Sequence, residues 1–359
     1  MMRFSIKSGF PILLAMLLSL ITAACSSQES SSDTSEQSVE ASDEKLRSNP
    51  DDIYVGFAID TLREERWYRD KEAFEGAVEE LGGQVKTLAA NSDQDVQIQQ
   101  AQLLINEGVD VLVVVPTDAD ASSEIVDIAH EAGVQVISYD RLIRGADVDY
   151  YLSFDNEKVG ELQAQEIVDQ VDEGEFAYVG GAESDNNATL FREGAMNVLE
   201  PYIDSGDIDL VYDTYTTGWD PGVARDELSS FIDSNDVNLD AVVAANDGTA
   251  GGAIEALGDQ AGEVPVSGQD ASLEGVRRVI EGTQTMTVYK SMDLIAQRAA
   301  EMAMDVGAGE EISTETTIDN GQGEIPTTLL EPITVTEDNV EETIIEEGHL
   351  TESEISDED

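Results

Sequence analysis

The stretch V-D-V-L-V-V-V-P at Val109–Pro116, followed by V-Q-V-I-S-Y-D-R at Val134–Arg141, decides the fold. The first run is almost wholly apolar and rich in β-branched residues, and Pro116 ends it. It reads as a strand buried on both faces, as in a parallel sheet. Between the two runs Ile125, Ile128, Ala129 and Ala132 recur at helical spacing, and Gly133 supplies the stop. Strand, helix and strand in succession make a βαβ unit, which implies parallel pairing with a right-handed crossover.

The alternation continues in both directions. Ile53–Ile59 is a short apolar run, and the segment after Trp67 has helical spacing at Phe74, Val78 and Leu81. Beyond Arg141 a helix carries Ala164, Ile167, Val168 and Val171 on one face. Strands are expected at Phe176–Val179, Leu210–Tyr215, Ala241–Ala245 and Val264–Ser267, with a last apolar stretch at Thr285–Tyr289. The helices between them begin near Asn187, Pro221, Thr249 and Leu273. Two such runs of βα units predict an α/β protein of two doubly wound, parallel-sheet lobes. Ligands of open α/β sheets sit outside the carboxyl ends of the strands, so the residues just after each strand carry the functional reading.

Those positions are rich in polar groups. The first strand is followed by D-T-L-R-E-E-R-W at Asp60–Trp67, which includes Glu65, Arg66 and Trp67; the strand at Val134–Tyr139 ends on Asp140 and Arg141. In the second lobe the strand ends supply G-G-A-E-S-D-N-N with Asn187 leading to Arg192, T-T-G-W with Trp219, A-A-N-D with Asn246, and S-G-Q-D with Asp270. Lys290 closes the last apolar stretch. An Asp or Asn after a strand is usually a helix cap, and that reading competes for Asp247 and Asp270 taken singly. Together, amides, carboxylates, guanidinium groups and both tryptophans of the chain are the groups that bind a neutral sugar. Carboxylates and amides meet ring hydroxyls, cations add charge-assisted donors, and indole faces cover C–H patches.

On longer strings the chain resembles the type I periplasmic sugar-binding proteins of bacterial ABC transporters, over roughly Ile53–Leu350. The strings are A-I-D-T-L-R-E-E-R-W at 58–67, Y-D-R at 139–141, S-F-D-N-E-K-V-G-E-L-Q-A at 153–164, D-N-N-A-T-L-F-R at 185–192, N-D-G-T-A-G-G-A-I at 246–254, S-G-Q-D-A at 267–271 and G-T-Q-T-M-T-V-Y-K at 282–290. The last, with E-E-R-W, favours the xylose branch of the family over the ribose branch. The resemblance implies a monosaccharide ligand, D-xylose, held by Arg66, Asp140, Arg141, Asn187, Arg192, Asn246, Asp270 and Lys290, with Trp67 and Trp219 as stacking walls and Glu65 as an additional candidate. It implies three crossings between the lobes, near Phe154–Asp155, Lys290–Ser291 and Ile325–Leu329. The first lobe would then comprise 53–154 with 291–325, and the second 155–290 with 326–346. Hinge closure over the sugar and delivery to a membrane permease follow from the same likeness, with no cofactor and a monomeric protein.

The ends of the chain speak to location. Arg3 and Lys7 precede an apolar run from Pro11 to Ile21, and small residues lead to Cys25, so residues 1–24 read as an export signal. The run is too short to anchor a protein across a bilayer. Cys25 is the one cysteine, which excludes an internal disulfide or a thiolate metal site. Its position resembles that of an acylated lipoprotein cysteine, although Thr22 stands where Leu is usual; an ordinary signal with an incidental cysteine is the alternative. Residues 25–52 are Ser-rich and acidic, suited to a flexible tether. Residues 347–359 read as an acidic tail.

Composition narrows the function further. The 359 residues hold 77 Asp and Glu against 18 Lys and Arg, a formal charge of −59, while 41% of residues are hydrophobic. The apolar content supports two cores, and the charge argues against nucleic acid, whose phosphates need a basic face. The acid excess runs through the body as well as the ends, as expected of a surface facing a saline medium. Two histidines, His130 and His349, neither at a strand end, and the absence of G-x-S-x-G, Walker or G-x-G-x-x-G motifs speak against an enzyme. Asp204, Asp207 and Asp209 lack calcium-loop spacing and read as a solvated turn. Sugar-responsive repressors share a two-lobe core, but a basic helix-turn-helix is missing ahead of this one. A sensor that presents a sugar to a chemoreceptor or kinase ectodomain stays open beside transport.

Overall fold

The computed structural model of the chain describes Asn49 and residues 52–356. The export signal, Cys25 and all of the tether except Asn49 and Asp52 lie outside the described residues, as do the last three residues.

The first lobe is built from β1 (Tyr54–Ile59), α1 (Glu65–Glu80), β2 (Gln84–Ala89), α2 (Gln94–Asn106), β3 (Val111–Val114), α3 (Ser123–Glu131), β4 (Gln135–Tyr139) and β5 (Tyr150–Phe154). The chain then forms the second lobe with α4 (Asn156–Val168), β6 (Gly174–Val179), α5 (Asn186–Ser205), β7 (Ile208–Thr214), α6 (Pro221–Asn235), β8 (Ala241–Ala244), α7 (Asp247–Leu257), α8 (Leu273–Glu281) and β9 (Thr287–Tyr289). It returns to the first lobe for α9 (Met292–Gly307), β10 (Thr316–Asp319) and β11 (Glu324–Leu330), and ends in the second with β12 (Ile333–Val335) and α10 (Glu352–Ser356).

The first sheet runs β10-β11-β5-β4-β3-β1-β2, parallel throughout except for the β10 edge. Its two faces account for the unbroken apolar run at β3. Val111 and Val113 join Phe57, Phe74, Ile295 and Ala299 under α1 and α9, while Leu112 and Val114 join Leu104, Ile125 and Ala129 under α2 and α3. A strand covered on both sides has no position for a polar residue.

In the second lobe β7-β6-β8 form the named sheet. It is extended by single parallel bridges, Val242 to Val266 and Gln269 to Val288, and by the antiparallel pair β9–β12. The strand expected at Val264–Ser267 is thus reduced to a bridge. Pro265 has no N–H to give to a ladder, although its carbonyl accepts from Val242 N at 3.0 Å.

Two boundaries differ from the sequence expectation. β11 lies wholly in the first sheet, with Leu330 opposite Phe154, so the third crossing falls after Leu330. Residues 347–356 are not a free tail. Leu350 is fully buried beside Val276, Tyr289, Val335 and Ile344, and Arg277 donates to the carbonyls of Glu354 (2.6 Å) and Ile355 (3.1 Å). Within that segment the apolar residues Leu350 and Ile355 stand too far apart among acids to show a period. Among the described residues no helix is long and apolar enough to cross a membrane.

Candidate functional site

Both sheets direct their carboxyl edges at one enclosure between the lobes. From the first lobe come Glu64, Arg66, Trp67, Asp140 and Arg141; from the second, Asp185, Asn187, Phe191, Trp219, Asn246, Gln269, Asp270 and Lys290.

Arg66 is the hub. Its Nη2 lies 2.8 Å from Asp140 Oδ2, its Nη1 3.3 Å from Asp270 Oδ1 across the lobe boundary, and its Nε 3.2 Å from Asp70 Oδ2 behind it. Lys290 reaches the same two acids from the other side, 3.5 Å from Asp270 and 3.9 Å from Asp140. Arg141 joins Asp60 (2.9 Å) in its own lobe to Asp185 (2.8 Å) in the other. Asn187 donates to Asp140 Oδ1 at 3.1 Å and receives a bond from Asn156 at 3.0 Å. Burial alone would push the Asp140 carboxyl up, but Arg66 and Lys290 overrule it and hold it down at about 2. The Asp185 carboxyl goes the other way: burial raises it more than Arg141 lowers it. Tyr139 donates to Asp70, whose carboxyl burial also raises.

The rings are fixed as firmly. The Trp67 indole donates to Glu64 at 2.9 Å, and the Arg66 and Arg141 guanidinium carbons stand 4.3 and 5.1 Å from its ring centre. Trp219 donates to Asp185 at 3.2 Å and meets Phe191 edge-on, 6.3 Å between centres. The indole lies directly on Gly181, where an added Cβ would come within 2.0 Å of the ring, so this position admits only glycine. Asp140, Trp219 and Asp270 all have left-handed backbone, with φ of 59°, 57° and 92°. Held conformations of this kind concentrate at functional sites.

The helix-cap alternative is resolved residue by residue. Asn246 caps α7 through Thr249 N and also lines the enclosure. Ser272, not Asp270, caps α8, and Asp247 caps nothing. Asp247 instead accepts from Gln284, from Ser272 N and from Ser272 Oγ, and burial raises its carboxyl to about 6. Among the described residues no cluster of His, Cys, Asp and Glu could hold a metal ion.

Comparison with known proteins gives this geometry a family. The profile described as "Periplasmic binding protein domain" matches residues 55–311. The chain belongs to the periplasmic binding protein family. It is 47% identical over 306 residues to the D-xylose-binding periplasmic protein of Escherichia coli strain K12, covering 85% of this chain and 93% of that one. The namesake protein of Haemophilus influenzae is 44% identical, covering 85% and 92%. Among solved structures, an ABC transporter solute-binding protein from Clostridium phytofermentans with bound β-D-glucose superposes with a TM-score of 0.80 at 30% identity, over 84% of this chain and all of that one.

In this binding protein nine sequence candidates meet in the enclosure: Arg66, Trp67, Asp140, Arg141, Asn187, Trp219, Asn246, Asp270 and Lys290. Arg192 does not. Asn187 and Phe191, four residues apart on α5, share the face turned to the enclosure; one residue further round, Arg192 points outward and forms a two-pronged pair with Asp213. Glu65 stands at the mouth, bonded to Arg69 and to Leu273 N, while its neighbour Glu64 faces inward. Sequence reasoning misses Glu64, Asp185, Phe191 and Gln269. Helical spacing from Asn187 is the signal that could have found Phe191.

Proposed function

We propose that the protein captures one neutral monosaccharide, D-xylose, in the interlobe enclosure and hands it to the membrane permease of an ABC transporter. The observation that carries this reading is the mutual bonding of the charges. Every cation lining the enclosure is paired with acids, so an anionic ligand would find no uncompensated cation there. Ring hydroxyls, which donate and accept at once, fit between carboxylates, amides and cations. The names of the Escherichia and Haemophilus relatives support xylose in particular. In this reading Arg66, Asp140, Arg141, Asn187, Asn246, Asp270 and Lys290 hold hydroxyls, Trp67 and Trp219 form walls with Phe191, and Glu64 joins them. The protein binds without turnover, exported and tethered through acylated Cys25 to the outer face of the cell membrane as a monomer.

Calorimetry in concentrated salt against xylose, ribose, arabinose, glucose and galactose tests the ligand, with xylose bound tightest. Tight binding of another sugar and none of xylose would overturn the specificity while leaving the fold untouched. Trp67→Ala and Asp270→Ala are each expected to weaken xylose binding by about 1–3 kcal/mol, from lost stacking or an unpaired buried partner. Arg192→Ala is the matched control. Its exposed ion pair contributes at most about 1 kcal/mol to stability, and xylose affinity stays within about twofold of the parent.

A further inference from the structure

We propose that Arg63 and Arg69 are positioning residues that clasp the two lobes shut, setting the affinity for every ligand without touching any. This rests on the sugar-binding reading above. The segment entering α1 and its first turns place arginines at 63, 66 and 69, and all three cross to the second lobe. Only Arg66 lines the enclosure. Arg63 and Arg69 line the wider recess at its mouth, which shares Glu64, Arg66, Trp219, Asn246 and Asp270 with the enclosure.

The two outer arginines grip backbone. Arg63 Nη2 donates to the Gly218 carbonyl at 2.6 Å, and Arg69 Nη1 to the His349 carbonyl at 2.8 Å. Each carbonyl belongs to a segment that fixes a residue of the enclosure. Gly218 immediately precedes Trp219, and both have left-handed backbone. The His349 ring donates through Nε2 to the Ala271 carbonyl at 2.9 Å and packs on Tyr289, with 4.9 Å between centres, so it buttresses the strained Asp270–Ala271 turn. Arg69 also holds Glu65 at 2.9 Å, and Glu65 in turn accepts from Leu273 N at the start of α8, at 3.3 Å. The packed C-terminal segment thereby acquires a purpose: it carries His349 to the cleft mouth.

A contact made only in the closed arrangement raises the fraction of protein that is closed. Apparent affinity scales with that fraction, whatever the ligand. A clasp therefore changes all affinities by one factor and leaves their ratios alone, whereas a residue touching the sugar changes the ratios. The loss appears in the release rate, since the broken contacts belong to the closed complex.

The test is titration of Arg63→Gln, Arg69→Gln and the double variant against the five sugars, in molar salt so that net charge is screened. Each single variant is expected to weaken every measurable affinity by the same factor, about two- to tenfold, for a partly exposed bond from a charged donor. The factors multiply in the double variant, and stopped-flow Trp fluorescence shows the change in the off-rate. Unchanged affinities, or losses that differ between sugars, overturn the proposal. If the parent binds none of the five, the sugar reading fails by itself and the clasp is judged by small-angle scattering without sugar. A larger radius of gyration in the double variant then supports it, and equal radii overturn it.

Discussion

Replacing Asp140 with Ala is expected to cost the folded protein about 3–5 kcal/mol and to abolish sugar capture, because it removes the shortest ion pair of Arg66 and leaves Asp270 alone to balance two buried cations, Arg66 and Lys290. Asp140 is 2% exposed and ties together Arg66, Lys290 and Asn187, while its own carbonyl accepts from Ser153 Oγ at 2.6 Å and Tyr151 OH at 3.0 Å. Part of the loss in the Ala variant comes from backbone, since φ is 59° there and Ala tolerates the left-handed region poorly. Asn tolerates it, so Asp140→Asn isolates the charge and is expected to lose less stability but still bind xylose poorly. The pH dependence has a definite sign. With the carboxyl lowered from an ordinary 3.8 to about 2, its contribution is fully present above about pH 4 and disappears as pH falls from there through 2. Denaturant unfolding of both variants in molar salt measures this. A loss below about 1 kcal/mol, with xylose still bound normally, would remove Asp140 from the centre of the site.

The second large effect is that of salt on the whole molecule. The unfolding temperature is expected to rise by about 10 °C or more between 0.1 M and 3 M sodium chloride, as the Debye length shrinks from about 10 Å to below 3 Å. The net charge is −59, yet the buried acids among the described residues are Asp60, Asp70, Asp140, Asp185 and Asp247, each bonded to a donor. The remaining acids among them lie wholly or partly at the surface, where they repel one another in the folded state more than in the expanded chain. Scanning calorimetry across the salt series reads the effect directly. A midpoint that stays flat or falls would mean that the acids are balanced locally, and the saline habitat would lose its support.

Strands buried on both faces are legible because an unbroken apolar run bounded by turn residues fits little else, and β1, β3, β4, β6 and β8 all fall near their expected places. β2 is not legible. Its residues Gln84–Ala89 are all half-buried, and polar and apolar side chains follow one another without the strict alternation that marks a strand. The β10–β11 hairpin forms an edge made largely of Thr, Glu and Asp, which reads as loop until its partner β5 is known. At the site, residues directly after strands are readable from position alone. The partners that orient them are not: Arg66 meets Asp140 across 74 residues and Asp270 across 204, and nothing local announces such a pairing. Arg192 shows the converse, since a helix turns successive residues by about 100°, and a motif that reaches the right turn can still point the wrong way.

The left-handed backbone at Asp140, Trp219 and Asp270 also limits how this cleft could be redesigned for another sugar. Exchanging a side chain at these three positions alters the chain path as well as the chemistry, because few residues other than Gly, Asn and Asp accept that conformation cheaply. Retargeting is cheaper at Glu64 and Asn187, neither of which has positive φ or is ion-paired to a buried cation. A library built on those two would sample new hydroxyl patterns on a largely unchanged frame, whereas one built on the strained positions would return mostly proteins that fold less well.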